Sequence, residues 1–253
     1  MIDVLKRLVP CCAALLLAGT FASAPARADT QSEDTWLFFL GRPMPAGQDP
    51  RMFYKNLESS SFGTYPTGRA RRQGPRLTLQ LTDADSLNLA DNLSCPAEGR
   101  TEENCAEYYL LADLPTRNAF IVGRNLGGAI DFQLIDNRNG RRQTLAGIPL
   151  FSQTSGAFVV VNCPGVGTAR GNALEVYRRG DTEYASVFAL SAAELASRVP
   201  MPSCQLNSWN NSTLALSFWT AGGDERNAPR TRAELREESS GWSLDAPWPQ
   251  AKP

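Results

Sequence analysis

From residue 107 onward the chain is a succession of short runs rich in β-branched and aromatic residues. EYYLLADL (107–114), AFIVG (119–123), DFQLID (131–136), FVVVN (158–162), ALEVYRR (173–179), YASVFAL (184–190) and TLALSFW (213–219) follow at a steady rhythm, with Gly, Pro and Asn-Gly in the gaps. Strands this short, separated by turn residues, restrict the chain to all-β architectures: sandwich, barrel or propeller. Upstream, RLTLQL (76–81) alternates with period two, the mark of a half-buried strand. WLFFL (36–40) and RMFYKNL (51–57) read as further strands, and SSSFGTYPTGRARRQGP (59–75) as a turn-rich loop. TDADSLNLADN (82–92) reads as a capped turn, because Asp and Asn bond locally to their own backbone. One segment carries a helical signature, SAAELASRV (191–199), with Ser191 as N-cap and Glu194 three residues later. RTRAELREES (230–239) fits a charged edge strand or a short helix.

The first 28 residues have the form of an export signal. Lys6 and Arg7 precede a mostly apolar run, and Ala26-Arg27-Ala28 supplies small residues at the cleavage positions. Pro10 and Gly19 interrupt that run, which is shorter than the roughly 20 residues that span a bilayer. Cleavage after Ala28 would leave 225 residues, and since the leader carries Lys6, Arg7 and Arg27 against Asp3, that remainder has a net charge of −3. A nucleic-acid partner would favour a strongly basic domain, so none is expected. Four cysteines follow the leader: Cys95, Cys105, Cys163 and Cys204. An even number in an exported chain implies two disulfides, with three connectivities open. Pairing Cys95 with Cys105 would close a short polar loop, and pairing Cys163 with Cys204 would tie a strand end to a distant loop. The expected location is periplasmic or secreted.

Residues 117–180 have a further regularity. A strand ends in Leu134-Ile135-Asp136, a turn reaches Gly140, a short strand runs to Pro149, and Phe151-Ser152 opens another turn. The strand Phe158–Asn162 and then Leu174-Glu175-Val176-Tyr177 complete the order. This cadence resembles one repeat of the propeller-like proteins, of the WD40-like and TolB types. Where that family has Asp-Gly after its Phe-Ser turn, this chain has Gln153-Thr154-Ser155-Gly156. The resemblance implies blades of about 40–45 residues, hence about five in the exported chain, some of them divergent. A β-sandwich is the alternative. Residues 29–115 form an N-terminal β region on this reading, and residues 116–253 a propeller-like region continuous with it.

The chain has no histidine at all. Ser-His-Asp and Cys-His catalysis are thereby excluded, together with His-ligated metal sites. A Ser-Lys pair would have only Lys55 or Lys252 to draw on. No cofactor and no metal are expected. Glu175, Asp131, Asp136 and Glu183 lie on or beside neighbouring strands and keep open a glycan hydrolase built from carboxylates alone, with Glu175 as its leading residue. The glycines of CPGVGTARGN (163–172) fit no phosphate-loop spacing. Of 25 basic residues 22 are arginine. Arg69, Arg71 and Arg72 cluster in the predicted 59–75 loop, and Arg141 and Arg142 add charge at another turn. Arginine grips carboxylates and phosphates through paired hydrogen bonds, and Arg and Trp are enriched in interface hot spots. Arg69, Arg71, Arg72, Trp209 and Trp219 are therefore the predicted contact residues of a non-catalytic binding or interaction module. Its expected partner is another protein or an anionic ligand. A structural envelope protein without a specific ligand is the plainest alternative.

Overall fold

A computed structural model describes residues 30–41, 44, 47–64, 68–92, 105–126, 130–152, 156–163, 171–180, 183–210, 212–221 and 228–248. The chain is mostly strand, as its rhythm predicts, but it opens with two helices. α1 spans Thr30–Leu40 and α2 spans Pro50–Thr64. Both overturn predicted strands, at 36–40 and 51–57. In α1 the buried positions are Glu33, Leu37 and Leu40, four and three residues apart, which is the spacing of one helix face. The start of α2 is set by Asp49, whose Oδ1 accepts from the Arg51 amide at 2.8 Å, and by Pro50 with its fixed φ.

Among the described residues fifteen strands follow, interrupted by α3 (Ala192–Arg198): β1 (Ala70–Gln73), β2 (Arg76–Leu79), β3 (Leu87–Ala90), β4 (Glu107–Leu114), β5 (Ala119–Asn125), β6 (Ile130–Asp136), β7 (Arg142–Leu145), β8 (Pro149–Phe151), β9 (Ala157–Val161), β10 (Asn172–Arg179), β11 (Tyr184–Ser191), β12 (Pro202–Asn210), β13 (Thr213–Thr220), β14 (Thr231–Glu238) and β15 (Gly241–Asp245). They form four antiparallel sheets, each pairing its strands in chain order: β1–β3, β4–β7, β8–β11 and β12–β15. Two predicted irregular stretches are thus strands in part, β1 within 59–75 and β3 within 82–92. The ambiguous 230–239 run resolves as β14. The N-cap is present as read, with Ser191 Oγ accepting from the Glu194 amide at 3.1 Å, while the Glu194 carboxylate accepts from Arg198 Nη2 at 3.3 Å. The boundary placed at residue 115 falls within the β4–β5 hairpin, on a 3-10 turn at Pro115–Arg117.

Strands β4 and β5 of the second sheet are buried on both faces and read as nearly unbroken apolar runs, whereas its edge strand β7 is polar and mostly exposed. One face contributes Leu111, Ile121 and Leu134 to a large core shared with α1, α2 and the third and fourth sheets. The other contributes Leu110, Phe120, Val122 and Ile135 to a smaller core with Leu77, Leu79 and Leu89 of the first sheet.

Hairpin turns at one end of the molecule touch in series. Between β2 and β3, the amides of Thr82 and Asp83 donate to the carbonyls of Asn137 and Arg138 in the β6–β7 turn, at 2.8 and 3.0 Å. That second hairpin reaches the β10–β11 turn, where Gln143 Nε2 donates to the Tyr184 carbonyl at 3.2 Å. Arg178, beside the same turn, pairs with Glu237 next to the β14–β15 turn. At the opposite end, a disulfide joins Cys163, just past β9, to Cys204 in β12, with Cα atoms 5.4 Å apart. This is one of the two predicted bridges, although Cys204 lies on a strand and not a loop. Cys105 is also disulfide-bonded; Cys95, its predicted partner, lies outside the described residues, as does the leader. A disulfide fits an extracellular or periplasmic protein. Among the described residues, no helix is long and apolar enough to cross a membrane.

Candidate functional site

A cleft of about 300 Å³ opens at the rim where the second and third sheets meet. Three turns build it: the Pro115–Arg117 turn between β4 and β5, the β6–β7 turn, and the β10–β11 turn. Among the described residues its lining includes five arginines (Arg117, Arg138, Arg141, Arg142 and Arg179) against two carboxylates, Asp136 and Glu183. Buried Ala119 and Leu134 form an apolar floor.

Three of the arginines are committed. Arg117 Nη1 donates to Glu33 Oε2 at 2.7 Å, its Nη2 pairs with Asp34, and its guanidinium lies 4.9 Å from the centre of the Phe151 ring. Glu33 is fully buried and also accepts from the Thr116 amide at 2.9 Å, so α1 fixes this turn. Arg138 folds back on Asp136, with Nε to Oδ1 at 3.0 Å and Nη2 to Oδ2 at 2.5 Å. The hydrogen bonds from Arg138 hold the Asp136 carboxyl below its ordinary pKa. Arg141 Nη2 reaches Glu183 Oε2 at 3.0 Å.

The side chains of Arg142 on β7 and Arg179 at the end of β10 are exposed and make no hydrogen bond or ion pair among the described residues, although the charge of Arg179 helps lower the pKa of Asp136. Tyr184 stands opposite Arg179 across the β10–β11 hairpin. Burial raises the pKa of its phenol, while the positive charges of Arg179, Arg117 and Arg138 pull the other way. Its edge meets Phe158 at a centroid distance of 4.8 Å, which fixes the ring. The cleft thus offers guanidinium N–H groups and a phenol above an apolar base, while its two carboxylates are already paired with arginines.

The five predicted contact residues lie elsewhere. Strand alternation in β1 turns Arg72 inward and Arg71 outward. Arg72 donates to Asp91 and to Glu58, both at 2.8 Å, and to the Tyr108 carbonyl. Arg69 pairs with buried Asp113 and stacks over Phe120. Trp219 is 6% exposed, with Arg230 4.4 Å above its ring. Trp209 meets Trp242 edge to face and borders a groove of about 240 Å³ between α1, β8 and β12. Of the carboxylates weighed for glycan hydrolysis, Asp136 and Glu183 reach the cleft, each already paired with an arginine. Asp131 is bound to Arg124 at 3.0 Å. Glu175 shares a face of β10 with Tyr177, as the period-two reading requires, and burial together with the nearby Glu175 carboxylate raises the pKa of the Tyr177 phenol.

Sequence reading singled out Arg141 and Arg142 but missed Arg117, Arg179 and Tyr184. The available signal was an arginine at or beside three turn sequences: PTRN, DNRNGRR and RRGD. Among the described residues, no three His, Cys, Asp or Glu side chains converge as a metal site. No protein-family model, curated protein sequence or solved structure matches this chain.

Proposed function

We propose that this chain is an exported, non-catalytic binding module that holds an anionic ligand in the rim cleft of a propeller-like β scaffold. The observation that carries the reading is the pair Arg142 and Arg179, whose guanidinium groups lie outside any ion pair among the described residues, in a cleft where the described arginines outnumber the described carboxylates. Such groups are suited to paired hydrogen bonding with carboxylate or phosphate oxygens.

Three features support the propeller-like scaffold. Each sheet is a meander in chain order. The first strands of the last three sheets, β4, β8 and β12, begin at 107, 149 and 202, a spacing near that of blade repeats. Hairpins at one rim meet their counterparts in the neighbouring sheets, which requires successive sheets to run with the same polarity. The non-catalytic reading rests on the absence of histidine and on the ion-paired state of both cleft carboxylates. Export rests on the leader-like N-terminus and the disulfide.

Thermal-shift titration of the exported chain against small anions, acidic peptides and acidic oligosaccharides, at constant ionic strength, tests this. At least one class should stabilise the protein, and the Arg142→Ala/Arg179→Ala double variant should lose that stabilisation while keeping the parent melting temperature. Stabilisation that survives the double substitution would refute the cleft. Turnover of any ligand in the panel would refute the non-catalytic role.

A further inference from the structure

Resting on the anion-binding reading, we infer that the cleft selects a compact, doubly charged oxyanion carried on an apolar stem, clamped between Arg142 and Arg179 with the Tyr184 hydroxyl as third donor. Charge comes first. Arg117 is paired with both Glu33 and Asp34, Arg138 with Asp136 and Arg141 with Glu183, so among the described residues Arg142 and Arg179 are the cleft arginines outside a salt bridge, although Arg179 is near enough to Asp136 to lower its pKa. A single carboxylate would engage one of these two guanidinium groups, whereas a doubly charged oxyanion can engage both.

Hydrogen-bond type comes second. The lining presents guanidinium N–H groups and a phenol, Asp136 and Glu183 already accept from arginines, and the remaining side-chain acceptors are the amides of Asn118 and Gln143, so donors outnumber free acceptors and a ligand rich in acceptors is favoured. Because burial holds the Tyr184 phenol above its ordinary pKa, it stays protonated at neutral pH and donates. Size is the third consideration. About 300 Å³ lies at the small end of ligand sites, roughly 300–1,000 Å³, and does not enclose an extended polymer. Ala119 and Leu134 supply an apolar floor for the stem.

Phosphate monoesters and dicarboxylates share this chemistry, and calorimetry separates them. The probes are phenyl phosphate, succinate and benzoate at pH 8 and fixed ionic strength, where a phosphate monoester, with its second pKa near about 6, is a dianion. The expected result is that phenyl phosphate, succinate or both bind at least about tenfold more tightly than benzoate. Arg142→Ala and Arg179→Ala should each lower that affinity about tenfold or more, as loss of a charge-assisted hydrogen bond implies. Tyr184→Phe should weaken binding by a smaller factor with the melting temperature unchanged. Benzoate binding as tightly as both dianions would overturn the inference and leave the anion site standing. Failure of all three probes to bind would overturn the inference, and a flat thermal-shift panel alongside it would remove the anion-binding reading as well.

Discussion

Arg71 and Arg72 are neighbours in sequence with opposite fates, and the cause is the pleat of β1. Arg71 faces water, while Arg72 enters a pocket of three acceptors: Glu58 from α2, Asp91 after β3 and the Tyr108 carbonyl of β4. Glu58 in turn accepts from the Leu110 amide at 2.9 Å, so one guanidinium ties a helix to two sheets. Removing one partner from a buried ion pair costs about 3–5 kcal/mol, because the remaining charge stays desolvated. Arg72 keeps 19% of its side chain exposed, so the lower figure applies. Arg72→Ala should cost about 3 kcal/mol in urea unfolding, and Arg71→Ala less than about 0.5 kcal/mol. The arginine cluster was visible in sequence, but its partners Glu58, Asp91 and Asp113 come from separate elements, and no local pattern brings them together. Equal effects for the two substitutions would show that the buried network does not hold this corner.

Among the elements, legibility followed the strength of local signals. Strands β5, β6, β9, β10, β11 and β13 announce themselves through β-branched and aromatic residues, and α3 through its capping box. β12 was missed because PSCQLNSWN is largely polar, and of its side chains Leu206 alone is fully inside. α1 was misread because five consecutive apolar residues, WLFFL, show no period. Its helical face emerges once Glu33 is counted with Leu37 and Leu40. α2 reads as a strand from the apolar and aromatic residues of RMFYKNL, yet Asp49-Pro50 immediately before them is a pair that can start a helix. The β6–β7 turn depends on Gly140, which has φ +76°, and a Cβ there would lie 3.0 Å from Leu81 Cδ1. Gly140→Ala should therefore cost about 1 kcal/mol or more. Since this turn carries Arg138 and Arg141, the same variant should also weaken anion binding. Chemical denaturation and calorimetry on one preparation check both effects, and unchanged values in both would remove the turn from the account.

At the level of the whole molecule, cysteine count and compartment foretold a bridge that the fold contains, while the stacking of sheets was beyond reach. The repeat-like stretch 117–180 straddles two sheets, β5–β7 of one and β8–β10 of the next, so its cadence reflects the crossing from sheet to sheet as much as either sheet alone. Cys163 and Cys204 are 41 residues apart, and closing a loop of that length restricts the unfolded chain by about 4 kcal/mol. Cys163→Ala/Cys204→Ala should lose a comparable amount of stability, read from urea midpoints against the oxidised parent. An unchanged midpoint would show that the third and fourth sheets hold together without the bond.

Strands β4, β5 and β6 have little water on either side, one face serving each core. Their hairpin β4–β5 carries the boundary expected at residue 115, and severing the chain there would strip both cores of shared walls at once. Neither fragment would inherit a finished interior, so this protein is divisible on paper and indivisible in solution.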